Sequence, residues 1–283
     1  MNISTLKILK AVSKFYNQNK PLFQQHFLSR KKRYKSSSYD MCVIVTILIA
    51  YQFSGYKTFK LFYVKEFRRL NRCLKTIPSY SWFLRLQKSS LFLLLTFLQS
   101  QKGVKTGVYY IDSTPIKVCH NRRIHNHKVM DGIASRGHHS MGWFYGFKLH
   151  LVVNNNGEII NVYFSRGNKN DIIGLDKMTK DLNGKLFGDK GYISDKHKQE
   201  LKKRKLKLVT KVRKNMKPQR LTKIEKALLK RRGIVETVIE QLKRTFCIEN
   251  QRVRSFYGLC VLIASAIIAY NFKPNKPRIT LAL

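Results

Sequence analysis

Through the first hundred residues, apolar positions recur three and four apart, and no stretch alternates in the manner of a strand. The pattern predicts an all-helical front region. Within it, SSSYD ends on Asp40, an N-cap for a helix over Met41–Phe53, because a short carboxylate there accepts an orphan N–H of the first turn. Ser54–Gly55 breaks that helix, and a second helical stretch covers Lys57–Arg68. Helix, short turn, helix suits DNA binding and equally a plain structural hairpin, and both readings stay open.

The texture changes at Gly107. GVYYIDSTPIKV, FYGFKLHLVVN and EIINVYFSRGN are three strand-like runs, and NNNG at 154–157 turns the chain between the last two. A helical stretch capped by Asp171 follows, then a strand over Lys185–Gly188, a helix capped by Ser194 or Asp195, a strand over Leu206–Val212, and a last helix from about Gly233. This β-β-β-α-β-α-β-α order predicts an α/β domain of the ribonuclease H-like kind, a mixed sheet flanked by helices, behind an all-α N-terminal domain. The expected boundaries are 1–103 and 104–283. Apolar runs at Val43–Phe53, Leu91–Leu98 and Leu259–Tyr270 fall short of the ~18–20 residues a membrane span needs, so they read as buried helices.

Charge narrows the partner. Fifty-six Lys and Arg against fifteen Asp and Glu leave the 283-residue chain at +41, a field that favours a polyphosphate such as DNA. Codon bias toward Lys would also enrich Glu, which is scarce. The densest stretch, 202–232, carries fifteen basic residues and the single acid Glu225. Five scattered cysteines without a C-x-x-C pair fit reduced thiols, and no signal-peptide pattern opens the sequence, so the expected compartment is the cytoplasm.

So few acids can be sorted by elimination. Asp40, Asp171 and Asp195 stand at expected N-caps, Glu158 in a turn, and Asp176, Asp181, Glu200 and Glu225 in polar helical surroundings. Asp112 instead interrupts the apolar run V-Y-Y-I, where an ionised carboxylate is costly without a partner, and a metal ion is one such partner. Asp189 repeats this at the end of L-F-G-D-K-G-Y. Glu236 shares a helix face with Arg232, Glu240 and Lys243, opposite the stripe Ile234, Val235, Val238, Ile239, Leu242 and Phe246. Taken singly, Asp112 and Asp189 have a structural cap or turn role as their alternative, and Glu236 a solvated ion-pair face. If strands one and four are neighbours and the last helix crosses them, the three carboxylates converge as hard oxygen ligands for Mg²⁺. Two such ions about 4 Å apart activate a water or a DNA 3′-hydroxyl and stabilise the leaving oxygen.

At these residues the chain resembles the DDE transposases of bacterial insertion sequences, most closely the insertion-sequence 982 family. The matching stretches are YIDSTPIKVCHNRRI, GWFYGFKLHLV, LFGDKGYIS and RRGIVETVIEQLKRTF, with D-K-G-Y and R-x3-E-x6-K as the specific signature. Leu229 stands where the longer signature has tyrosine. The resemblance implies Asp112, Asp189 and Glu236 as the metal-binding triad for Mg²⁺ or Mn²⁺, and its register selects Glu236 over Glu240. It also implies double-stranded DNA as partner (terminal inverted repeats and target), a homodimer on the ends, and a bacterial, nucleoid-associated setting. Arg232 and Lys243, with Lys190, Lys148 and His150, are the expected DNA contacts; Lys148 and His150 alternate onto one face of the second strand. The histidine-rich segment from Cys119 lacks the paired spacing of a zinc site, and its part between the first two strands, with Arg122, Arg123, Lys128 and Arg136, reads as a basic DNA-contacting loop. A nuclease or resolvase without strand transfer, and a catalytically silent DNA-binding relative, are the competing functions.

Overall fold

The computed structural model describes residues 4–28, 39–74, 76–212, 216, 220–249 and 253–279. The chain divides into two compact units, one built from 1–101 with 244–272 and the other from 102–243 with 273–283.

The first unit is helical: α1 (Thr5–Gln18), α2 (Lys20–Leu28), α3 (Met41–Gln52), α4 (Phe59–Leu74), α5 (Tyr80–Ser89), α6 (Leu91–Ser100) and, from later in the sequence, the helix Phe256–Phe272. Asp40 caps α3 as expected, its side chain accepting the Cys42 N–H at 2.8 Å. α3 and Phe256–Phe272 are apolar on nearly all sides, which obliges both to be buried. They pack together, and Gln52 Nε2 donates to Ser265 Oγ at 2.9 Å, satisfying a polar pair in their buried contact. The sequence-based boundary put this last helix with the catalytic domain, whereas its contacts group it with the front helices. The basic helix α4 exposes Lys60, Lys65, Arg68, Arg69 and Arg72.

The second unit contains β1 (Val108–Cys119), β2 (Ser135–His139), β3 (Gly142–Asn154), β4 (Ile159–Arg166), α7 (Leu175–Thr179), β5 (Gly184–Gly188), α8 (Asp195–Lys203), β6 (Leu206–Thr210), α9 (Lys223–Lys230) and α10 (Gly233–Arg244). The helix Phe256–Phe272 is therefore α11. The mixed sheet runs β2-β3-β1-β5-β6, with β4 also paired to β3. β2 and β4 take successive halves of one edge of β3, pairing at 142–146 and 147–153. Strand β2, within the segment read as a loop, is an addition to the expected order. Its sequence, SRGHH, has no apolar alternation, and only pairing with β3 makes it a strand.

One face of the sheet carries Tyr109, Ile111, Val152, Leu186 and Leu208 against Leu175 and Met178 of α7, Leu201 of α8, and Tyr192. At Gly146 the backbone takes φ +155°, and a Cβ there would lie 2.1 Å from the Ile116 carbonyl oxygen, so only glycine allows β3 to approach β1 this closely. Glu225 departs from its expected polar surroundings: it is 1% exposed. It completes a capping box with Thr222 at the start of α9 and accepts from Lys207 of β6 at 2.7 Å.

Candidate active site

The first two carboxylates owe their proximity to sheet register. β1 pairs in parallel with β5, Tyr110 opposite Phe187, so Asp112 and Asp189 each stand two residues beyond the same rung. Asp189 follows the carboxyl end of β5, where open α/β sheets present functional groups, whereas Asp112 lies within β1, which continues to Cys119 beyond its pairing with β5. Asp189 then enters a single 3-10 turn, Lys190–Tyr192, and is exposed, while Asp112 is 22% exposed.

Arg232, just before α10, joins the third carboxylate to the first. Its Nη1 lies 3.5 Å from Asp112 Oδ2 and its Nη2 is 2.7 Å from Glu236 Oε1. Asp112 Oδ1 accepts the Ser113 N–H at 2.8 Å. Burial, with the nearby charges of Glu236 and Asp189, pushes the Asp112 carboxyl up to about 6, against the lowering influence of the Ser113 N–H and Arg232. Asp112 feels the negative charges of Glu236 and Asp189 and the positive charge of Arg232, and three carboxylates are the ligand type a divalent cation takes, but their oxygens do not all lie within 4.8 Å of one another. The three are not drawn fully together, since Arg232 stands between Asp112 and Glu236.

Among the described residues, Asp176, His197 and Glu200 bring one ligand atom each within 4.8 Å of one another. In the sequence Asp176 and Glu200 read as unremarkable helical polar residues, and nothing singles out His197. Here Asp176 is already engaged: Arg204 Nη2 reaches its Oδ1 at 2.7 Å and His197 Nε2 lies 3.6 Å from Oδ2. Arg204 and His197 thus tie Asp176 of α7 to the α8 segment, and the three residues together remain a candidate acidic metal-binding group.

Residues 102–256, more than half of the chain, match the family model of the transposase DDE domain. The chain belongs to that family. It is therefore a DDE transposase, a DNA-cleaving enzyme of a kind that uses divalent metal ions. A cryo-EM structure of a piggyBac transposase synaptic complex with hairpin DNA is similar at 14% identity and a TM-score of 0.44, covering 93% of this chain and 72% of that one, a distant likeness on which no assignment rests. No curated protein sequence matches the chain.

The residues expected to touch DNA are placed differently from one another. Lys190 is exposed beside Asp189, and Lys243 is half-buried near the end of α10. Lys148 is half-buried and donates to Asp171 Oδ1 at 3.0 Å. His150 is a correction: it is fully buried, its Nε2 is 2.8 Å from Ser165 Oγ, and burial pulls its pKa down to about 4, so the transposase holds it neutral and out of reach of a phosphate. Asp171 is a second correction. Asn170 caps the turn, accepting from the Ile172 N–H at 3.2 Å, and the Asp171 side chain turns inward to Ser113 and Lys148 instead. Its carboxyl is raised by burial but, on balance, lowered by those two donors. No local signal in the sequence separates Asn170 from Asp171 as the cap, because both residue types cap well.

Proposed function

We propose that this transposase mobilises a bacterial insertion sequence of the 982 type. It binds the terminal inverted repeats, cleaves at the element's ends, and transfers the 3′ ends to target DNA. In this reading the second unit is a ribonuclease H-like catalytic domain, and Asp112, Asp189 and Glu236 hold Mg²⁺ or Mn²⁺. The observation that carries it is the register of β1 against β5, which gives Asp112 and Asp189 equivalent positions, together with the Arg232 link from Asp112 to Glu236.

The bound ions supply Lewis-acid activation of the attacking oxygen and charge neutralisation at the leaving one. The protein's own residues do the remainder. The Ser113 N–H fixes the rotation of the Asp112 carboxylate. Arg232 spaces Asp112 from Glu236 and offsets part of their repulsion. Lys190, next to Asp189, and Lys243, two helical turns after Glu236 on α10, are the residues that meet DNA phosphates in this reading. The exposed basic face of α4 is the corresponding DNA contact of the helical unit, since α3 is buried and has no face to offer a groove. The net charge of +41 supports binding along an extended length of duplex, and two copies acting on the two ends complete the proposal.

The test incubates the purified chain with Mg²⁺ or Mn²⁺, DNA bearing the inverted repeats that flank its gene, and a target duplex. Joined end-to-target products are the expected result. Cleavage without joining would replace the transposition reading with a nuclease, and inert DNA would remove both.

A further inference from the structure

Asp171 lies beside Ser113, the residue after Asp112 within β1, and faces the turn that follows Asp189 at the end of β5. Its Oδ1 accepts from Ser113 Oγ at 2.7 Å and from Lys148 Nζ at 3.0 Å. Ser113 follows Asp112, and its own N–H holds Asp112 Oδ1. On the other side, Asp171 Oδ2 faces the turn after Asp189, because a Cβ built on Gly191 would stand 3.5 Å from it. Tyr192, from that turn, is buried, close to the Ser113 side chain and near enough to Asp112 and Asp171 to feel both charges. One carboxylate thus touches or faces the residue after Asp112, the turn after Asp189, and a lysine from the neighbouring strand β3.

We infer that Asp171 is a positioning residue for the metal centre. It grips the Ser113 side chain so that the Ser113 backbone can orient Asp112, and it braces the Lys190–Tyr192 turn that follows Asp189. Lys148, 12% exposed, neutralises Asp171, so the brace adds no fourth uncompensated charge to a site that already repels itself. Outer groups that orient a ligand in this way change metal affinity by about 10- to 100-fold when removed. The inference rests on the reading of Asp112, Asp189 and Glu236 as the ligands.

The experiment measures Mn²⁺ affinity of the full chain by the paramagnetic resonance of free Mn²⁺, with the melting temperature as a check on folding. Asp171→Ala is expected to bind Mn²⁺ about 10-fold more weakly, or worse. Asp171→Asn keeps an oxygen for the Ser113 hydroxyl and is expected to recover most of the loss, a rescue that general destabilisation would not produce. Asp195→Asn removes an exposed carboxylate at the start of α8 and is expected to bind as the parent does. Parent-like affinity in Asp171→Ala, in a protein whose binding Asp112→Asn abolishes, overturns the positioning role and leaves the triad standing. Binding that ignores Asp112→Asn overturns the triad and this inference with it. If Asp171→Ala does not fold, Ser113→Ala decides: it deletes only the gripped hydroxyl, several-fold weaker binding is expected, and unchanged binding refutes the role.

Discussion

Replacing Glu225 by alanine removes the best-connected buried carboxylate in the catalytic unit. Its Oε2 accepts the Thr222 N–H at 3.1 Å, closing the capping box of α9, and its Oε1 takes Lys207 at 2.7 Å and Lys185 at 3.4 Å. Those lysines are cross-strand partners on β6 and β5, so without Glu225 they repel each other. Loss of the Glu225 half of the capping box, the Thr222 half being kept, costs about 1 kcal/mol for the Thr222 N–H to carboxylate bond. The charged hydrogen bond contributes about 1 kcal/mol more once discounted for Lys207 being half exposed. A total of about 2 kcal/mol corresponds to a fall of about 4–8 °C in melting temperature for a unit of this size.

The carboxyl offers an independent check. Burial raises it, but Lys207 and the Thr222 N–H more than compensate, holding it at about 2 against an ordinary 4.5. A carboxyl depressed in the folded state stabilises above its unfolded value and loses that contribution as pH falls toward the folded one. The difference between parent and Glu225→Ala should therefore be full above pH 4.5 and shrink toward pH 2. Thermal melts followed by circular dichroism across that range test this, with Glu225→Gln expected to fall between the two because it keeps an acceptor for the cap. A melting temperature in Glu225→Ala within about 1 °C of the parent, or a difference that ignores pH, would refute the reasoning.

Three further outcomes are expected. His150 is neutral in the fold with its pKa near 4 against an ordinary 6.5, so the parent loses stability as pH falls from 6.5 toward 4; His150→Phe should lack that part of the acid limb and bind DNA as before, and weakened DNA binding at constant folding would contradict its placement. Gly146→Ala forces a Cβ onto the Ile116 carbonyl at a positive φ and should cost about 3 kcal/mol or more, seen as a large drop in melting temperature; an unchanged melt would contradict the β1–β3 packing. Lys190→Ala and Lys243→Ala should each lower the slope of log affinity for DNA against log salt by about one, and an unchanged slope would remove them from the interface.

Features set by local chemistry were legible in the sequence. Asp40 caps α3, the apolar segments Val43–Phe53 and Leu259–Tyr270 lie in largely buried helices while Leu91–Leu98 is a helix that leaves Leu95 exposed, and the expected adjacency of the first strand and the Lys185–Gly188 strand is the observed parallel pair. Features set by tertiary partners were not. β2 is a strand only because β3 offers it an edge. Glu225 looks like a solvated helical acid until Lys185 and Lys207, distant in sequence, arrive beside it. Asp171 differs from its neighbour Asn170 only in where it points, and that is settled by Ser113 and Lys148, 58 and 23 residues away. His150 was read from strand alternation, which gives a face but not whether that face is covered.

The most direct test of the metal-carboxylate account is end cleavage in Mg²⁺ or Mn²⁺ by Asp112→Asn, Asp189→Asn and Glu236→Gln, compared with Glu240→Gln, one helical turn from Glu236. The account predicts that the first three bind the element's ends with parent-like affinity and do not cut them, while Glu240→Gln cuts. Cleavage that survives in any of the three, or that is lost in Glu240→Gln and kept in Glu236→Gln, would contradict it.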